Sequence, residues 1–302
     1  MPELPDVELY VHALRPRIVG QTIERARVAG PSLVRTFDPP VRDIQDRKIT
    51  AVTRLGKRIV WRLDNDYFVV IHLMIAGRFR WRPAGAALPG RLGQAAFDFP
   101  AATLLLTEAG SKKRASLHVV RGEAGLAELD PGGLDVLTAT PEAFATVVAS
   151  ENHTLKRMLT DPRLLDGIGN AYSDEILHAA RLSPMQLTSR LRLEELSRLH
   201  ESAVRVLTTW RDRLIAETGD AFPEKVTAFR DGMAVHGRYG KPCPVCGTPV
   251  QRIRYATNEA NYCPTCQTGG KLLADRALSR LLKEDWPRSL EELEQYRKER
   301  RR

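Results

Sequence analysis

The chain has 302 residues, 43% of them apolar, with 46 Lys and Arg against 37 Asp and Glu, a formal net charge of +9. That length supports two domains with ordinary cores, and no apolar run reaches the ~18 residues that a bilayer span needs. The positive balance points to a polyanionic partner, nucleic acid first among them, bound in a salt-dependent way.

The N-terminal Met1-Pro2-Glu3-Leu4-Pro5-Asp6 is acidic and proline-rich, unlike a secretory signal, so a cytoplasmic protein with no membrane partner is expected. Val7, Val11, Leu14 and Ile18 recur at helical spacing with Pro5 suited to the first turn, which predicts a helix over 5–19 closed by Gly20. Val52–Leu63, Tyr67–Phe79 and Thr103–Thr107 are rich in β-branched, aliphatic and aromatic residues, and Gly and Pro punctuate between them. They predict a β-sandwich or barrel entered by one helix. Pro131-Gly132-Gly133 reads as a linker, and beyond it helices are expected over 141–150, 153–160, 171–181 and 192–217. The domains expected are thus 1–133, β-rich; 134–222, helical; 223–280, around the cysteines; and 281–302, a charged tail that is a solvated helix or a disordered arm.

Cys243 and Cys246 form one C-x-x-C pair, Cys263 and Cys266 another, with sixteen residues between. Four thiolates in two knuckles complete a tetrahedral shell, so one structural zinc ion is expected and no catalytic metal. Around them Lys241, Arg252, Arg254, Lys271, Arg276 and Arg280 outnumber Glu259 and Asp275, a surface suited to DNA phosphate. Upstream, Asp166-Gly167-Ile168-Gly169-Asn170 separates two helices. Asn170 is expected as the cap of the second, where free amides and its side chain could hold a phosphate. A helical hairpin uses the same glycines for purely steric reasons.

Together these segments resemble the formamidopyrimidine/endonuclease VIII family of DNA glycosylases. The likeness rests on Met1-Pro2-Glu3-Leu4-Pro5-Asp6-Val7-Glu8, Gly56-Lys57, His72-Leu73 with Gly77, Gly167 through Glu175, and Val235 through Gly247. It implies an α+β chain: an N-terminal β-sandwich with a leading helix, a helix–two-turn–helix domain and a C-terminal zinc finger. It implies excision of oxidised or otherwise damaged bases from double-stranded DNA, with abasic-site lyase activity. The enzyme is expected as a monomer on the nucleoid. By resemblance, Met1 is removed and the Pro2 amine is the nucleophile, with Glu3 and Lys57 beside it. Asn170 matches the family's phosphate-binding asparagine and Glu175 its carboxylate near the lesion pocket.

Such chemistry needs an amine that is partly neutral at pH 7. An α-amino group near ~8 is about a tenth neutral, whereas an unperturbed lysine near ~10.4 is less than about a thousandth. Glu3 would then act as general acid/base on the sugar and Lys57 as a cation near sugar or phosphate.

Several positions depart from the family pattern. The guanine-lesion branch carries Met one place later than here, so Met74 and Ile75 are both candidates for the apolar wedge that fills the gap left by a flipped base. No Arg-x-Phe pair occurs on the later loop, where Lys112, Lys113 and Arg114 are candidate DNA contacts. Asn258 stands where the family's finger has arginine, and Asp6 where Glu is usual. The lesion excised is therefore left open. A non-catalytic protein that recognises damaged or abasic DNA on the same scaffold is the alternative.

Overall fold

A computed structural model describes residues 1–30, 32–255, 258–273 and 287–299. The candidate phosphate contacts Arg276 and Arg280, with Asp275 and the terminal arginines 300–302, lie outside the described residues. The chain forms two compact units, one of residues 1–133 with 208–228, the other of 134–207 with 229–302.

In the first unit, helix α1 (Leu4–Ile18) buries Leu4, Val7, Val11, Leu14 and Ile18 completely, the stripe its spacing predicts. Its start is closed by a reciprocal capping box between Glu3 and Asp6, in which the Glu3 amide donates to Asp6 Oδ2 at 2.9 Å. The Asp6 carboxylate is long enough to close that box.

Two antiparallel sheets follow. The five-stranded sheet runs β1 (Thr22–Ile23), β3 (Arg47–Leu55), β4 (Arg58–Leu63), β5 (Tyr67–His72), β9 (Ser116–Arg121). The four-stranded sheet runs β2 (Arg25–Val28), β7 (Gly93–Phe99), β8 (Ala102–Glu108), β6 (Gly77–Pro83). Trp61 of the first sheet meets Phe97 edge-on at 4.8 Å and stacks on Phe79 at 6.5 Å, both from the second, so the sheets face each other across an aromatic core. Each of the two long apolar runs is broken into a pair of strands. Gly56-Lys57 forms a two-residue hairpin turn with Gly56 at φ 62°, and Leu73–Ala76 forms a second turn. A short helix α2 (Gly122–Ala127) has no counterpart in the sequence reading.

The second unit contains α3 (Pro141–Ser150), α4 (Leu155–Thr160), α5 (Asn170–Ala179) and the first part of α6 (Leu193–Thr218). Thr140 and Thr154 cap α3 and α4 through their hydroxyls. The zinc-finger region supplies β10 (Gln251–Arg254), β11 (Glu259–Tyr262) and α7 (Pro264–Thr268), and the tail forms α8 (Leu290–Glu299).

The end of α6 and residues up to 228 group with the β-sandwich, while residues 229–302 group with the helices of 134–207. The reason is a local anchor. Phe222 packs on Tyr10 at 6.1 Å and Trp81 at 6.0 Å, and Arg17 lies 5.7 Å over its ring. Glu224 pairs with Arg80 at 3.2 Å and with Arg82.

Candidate active site and nucleic-acid interface

Pro2 and Glu3 are both buried, Glu3 to 2% exposure, at the head of α1. Two elements are fixed against this helix. The Arg54 guanidinium donates to Glu8 Oε1 at 2.9 Å and to the Gly56 carbonyl at 3.1 Å, tying the Gly56-Lys57 turn to α1. Tyr10, two turns along α1, packs edge-on against Phe79 at 5.4 Å, and the Phe79 amide donates to its hydroxyl at 3.4 Å, fixing the start of β6. Burial holds the terminal amine of Met1 below its ordinary value. Glu3 and Asp6 oppose that shift, and Arg78 and Lys57 reinforce it. Glu3, Asp6, Lys57 and Arg78 thus all act on the amine of Met1, and Arg78 is one that the sequence reading did not single out. The alternation Gly77-Arg78-Phe79-Arg80-Trp81-Arg82 was the available signal, since it puts three arginines on one strand face.

The turn after β5 separates the two wedge candidates. Met74 has φ 52° and is half-buried, whereas Ile75 is 55% exposed at the tip. Gly77 closes the turn with its amide on Leu73 O at 2.9 Å, and a Cβ there would meet that same oxygen at 2.3 Å. Only glycine fits.

The loop after β8 is organised by Glu108, 1% exposed, whose Oε1 accepts the Arg114 amide at 2.8 Å and the Ala115 amide at 3.3 Å. The Lys113 ammonium donates to the Glu108 carbonyl, so Lys113 is held locally while Lys112 and Arg114 are exposed.

In the second unit, Asn170 is not the cap. Gly169 occupies that position and Asn170 is the first helical residue, with no side-chain cap bond to α5. Its Nδ2 instead donates to Glu259 O at 2.9 Å, on the first residue of β11, and its Oδ1 is buried without a partner among the described residues. Buried Lys156 donates to the Asn170 carbonyl at 2.7 Å and to Asp174 Oδ1 at 2.6 Å, and Asp174 Oδ2 lies 2.8 Å from His236 Nδ1.

Glu175 is 6% exposed and takes the backbone amides of Ala234, Val235 and His236 at 2.7, 2.9 and 2.9 Å. Burial pushes its pKa up while those amides pull it back. Its oxygens are engaged in shaping the segment before the zinc finger. Asn258 is exposed on the β10–β11 hairpin, and its carbonyl accepts the Tyr255 amide at 2.8 Å.

The four cysteine sulfurs all lie within 4.8 Å of one another. Cys243 and Cys266 are 4.0 Å apart, Cys246 and Cys263 3.4 Å. Bonds of ~2.3 Å to one tetrahedral zinc require sulfur separations near ~3.8 Å, whereas a disulfide requires ~2.05 Å. The donor set fits one zinc ion held by Cys243, Cys246, Cys263 and Cys266, with no position left for a substrate. His178 of α5 places Nε2 3.2 Å from Cys243 Sγ, so the metal knot is joined to the helix that begins at Asn170.

A β-sandwich headed by a buried Pro-Glu pair, a helix–turn–helix unit and a four-cysteine hairpin define the helix–two-turn–helix class with a finger. Residues 1–115 match the formamidopyrimidine-DNA glycosylase N-terminal domain, 133–210 the H2TH domain of the same enzymes, and 240–269 the zinc finger found in FPG and IleRS. The chain is 33% identical over 266 residues to the formamidopyrimidine-DNA glycosylase of Moorella thermoacetica, covering 84% of this chain and 95% of that one. It is 34% identical over 282 residues to that of Thermus thermophilus, covering 89% and 100%. A Mycobacterium tuberculosis protein described as an uncharacterized formamidopyrimidine-DNA glycosylase-like protein is 44% identical over 155 residues, 51% of this chain and 94% of its own. The Lactococcus lactis Fpg structure in complex with abasic-site DNA superposes with a TM-score of 0.78 at 23% identity, covering 88% and 99%, a likeness of fold. The chain belongs to the formamidopyrimidine-DNA glycosylase family.

Proposed function

We propose that this chain is a base-excision DNA glycosylase and abasic-site lyase that acts as a monomer on damaged duplex DNA in the nucleoid. Pro2, freed by removal of Met1, is its nucleophile. The observation that carries the reading is the buried Pro2-Glu3 pair at the head of α1.

A neutral secondary amine attacks C1′, the C1′–base bond breaks, and the base leaves with a proton. The C1′–O4′ bond then opens as O4′ takes a proton from Glu3, leaving a cationic iminium between C1′ and the proline nitrogen. That iminium withdraws electrons, a C2′ proton is lost, and the 3′-phosphate departs in β-elimination. Lys57 supplies a cation near the sugar and the departing phosphate.

Binding is assigned to Asn170, Lys112, Lys113, Arg114 and Asn258, with Ile75 favoured over Met74 as the apolar wedge because it projects from its turn. Glu175 shapes the segment beside the lesion rather than touching the base. Bound zinc keeps the hairpin folded, and the four cysteines do no chemistry on DNA.

Borohydride trapping on abasic-site duplex DNA tests the reading. Wild-type protein with a free Pro2 amine forms a covalent adduct, and Pro2→Gly loses most of it while keeping DNA affinity. A protein that binds abasic DNA and never traps is the non-catalytic alternative. Active protein whose intact mass retains Met1 in full rules out the Pro2 nucleophile.

A further inference from the structure

The guanidinium of Arg78 is held in an orientation that its neighbours on the strand do not share. Arg80 and Arg82 share the single carboxylate of Glu224. Arg78, on the same face two residues earlier, meets no carboxylate among the described residues. Its Nη1 donates to two carbonyls of the preceding turn, Gly77 O at 2.6 Å and Ile75 O at 3.2 Å. Those oxygens belong to a turn that Gly77 closes by direct contact with Leu73 O, so the anchor is stiff. Among the described residues Nε and Nη2 have no partner. Guanidinium carries five donors in a planar fork, and only one nitrogen is used.

The position of this cation follows from packing. The residue after it, Phe79, gives its amide to Tyr10 Oη and its ring to the Tyr10 edge. Tyr10 lies one turn beyond Asp6 on α1, and Asp6 Oδ2 holds the Glu3 amide. These contacts fix the backbone of β6 against α1, and the Arg78 charge acts on both the Tyr10 hydroxyl and the amine of Met1, which sets it near the head of that helix. On the amine of Met1, one residue before Pro2, burial acts most strongly, and the charged groups that act are Glu3 at the cap of α1, Asp6 in its first turn, Lys57 from the β3–β4 turn and Arg78 from β6. Glu3 and Asp6 favour a protonated amine, and the two cations oppose them.

We propose that Arg78 is a working part of the N-terminal site, binding a phosphate oxygen of the attacked nucleotide and favouring the neutral, nucleophilic form of the Pro2 amine. This rests on the Pro2 reading above. A bidentate, pre-oriented guanidinium suits a phosphodiester, and a fixed positive charge beside an amine disfavours its protonation.

The test is the pH dependence of single-turnover borohydride trapping on abasic-site duplex, with Arg78→Gln, Arg78→Met, Arg78→Lys and Arg80→Gln compared with wild type. The rate rises with pH as the amine loses its proton. The midpoint of that rise should move up by about half a unit or more in the Gln and Met variants. It should stay near the wild-type value in Arg78→Lys, which restores the charge, and in Arg80→Gln, which removes a cation that pairs with Glu224 and is not among those acting on the Met1 amine. The Gln and Met variants should also bind abasic DNA several-fold more weakly.

Superimposable pH profiles for wild type and Arg78→Gln would overturn the inference, and so would an equal shift in Arg80→Gln. If neither neutral variant folds, the side chain is only a clasp for its turn and the inference falls. A wild type that never traps defeats the Pro2 reading itself, a different outcome from wild-type trapping that is indifferent to Arg78.

Discussion

Asn170 gives its Nδ2 proton to the carbonyl oxygen of Glu259 at 2.9 Å, linking the first residue of α5 to the first residue of β11 across 89 positions of sequence. The helix–turn–helix and the metal hairpin therefore share a fastening at Asn170, the residue proposed to contact DNA phosphate. Asn170→Ala removes that bond and the Oδ1 acceptor together. The expected cost is about 1 kcal/mol of stability and about three- to tenfold in DNA affinity, the same for damaged and intact duplexes. Fluorescence anisotropy at fixed salt measures it. A change in lesion preference with unaltered affinity would contradict a phosphate-side role.

Glu175 accepts the three successive amides of residues 234–236. Glu175→Gln leaves an amide NH2 facing backbone N–H groups and lowers stability by about 2 kcal/mol, the scale of a charge-assisted bond lost. Thermal melting of the zinc-loaded protein reads this directly. An unchanged melting temperature would mean that the segment before the finger does not depend on the carboxylate.

Wild-type protein should hold one zinc per chain by elemental analysis. Cys263 is fully buried and its sulfur also accepts the Cys266 amide at 3.5 Å, so Cys263→Ser removes a ligand and a helix cap at once. Loss of zinc and of several kcal/mol from the hairpin is expected, together with weaker DNA binding. Metal-free wild type that binds DNA at full strength would contradict the structural role.

His72 pairs with Arg58 across β5 and β4, and its Nε2 is buried without a partner among the described residues. Burial lowers its pKa to about 4, with Arg58, Lys57 and His118 adding to the shift. The unfolded chain, with His near ~6.5, binds the extra proton between the two values. Stability contributed by neutral His72 is thus present above about pH 6.5 and falls as pH drops, the loss being complete below about pH 4 and reaching at most about 3 kcal/mol. His72→Gln should flatten this acid limb in urea melts between about pH 7 and about pH 4.5. An identical slope in the variant would assign the acid sensitivity elsewhere.

What the sequence determined by itself was everything set by short-range periodicity or spacing. The α1 stripe, the strand-rich first third, the helices from 141 to 218 and the four-cysteine metal site depend on residues within a few positions of one another, or on a ligand spacing that one ion geometry demands. The Pro2-Glu3 start and the Gly167–Asn170 turn were legible as family motifs.

The tertiary structure alone decided the partners of polar side chains. Glu175 reaches amides 59 to 61 residues away. Asn170 gives up its cap position to Gly169 and reaches the metal hairpin. Residues 208–228 join the β-sandwich through Phe222 and Glu224. Arg78 differs from Arg80 and Arg82 only in what lies opposite it. A hydrogen bond is satisfied by whichever complementary group the fold brings within ~3 Å, and no local pattern of residues encodes which group that is.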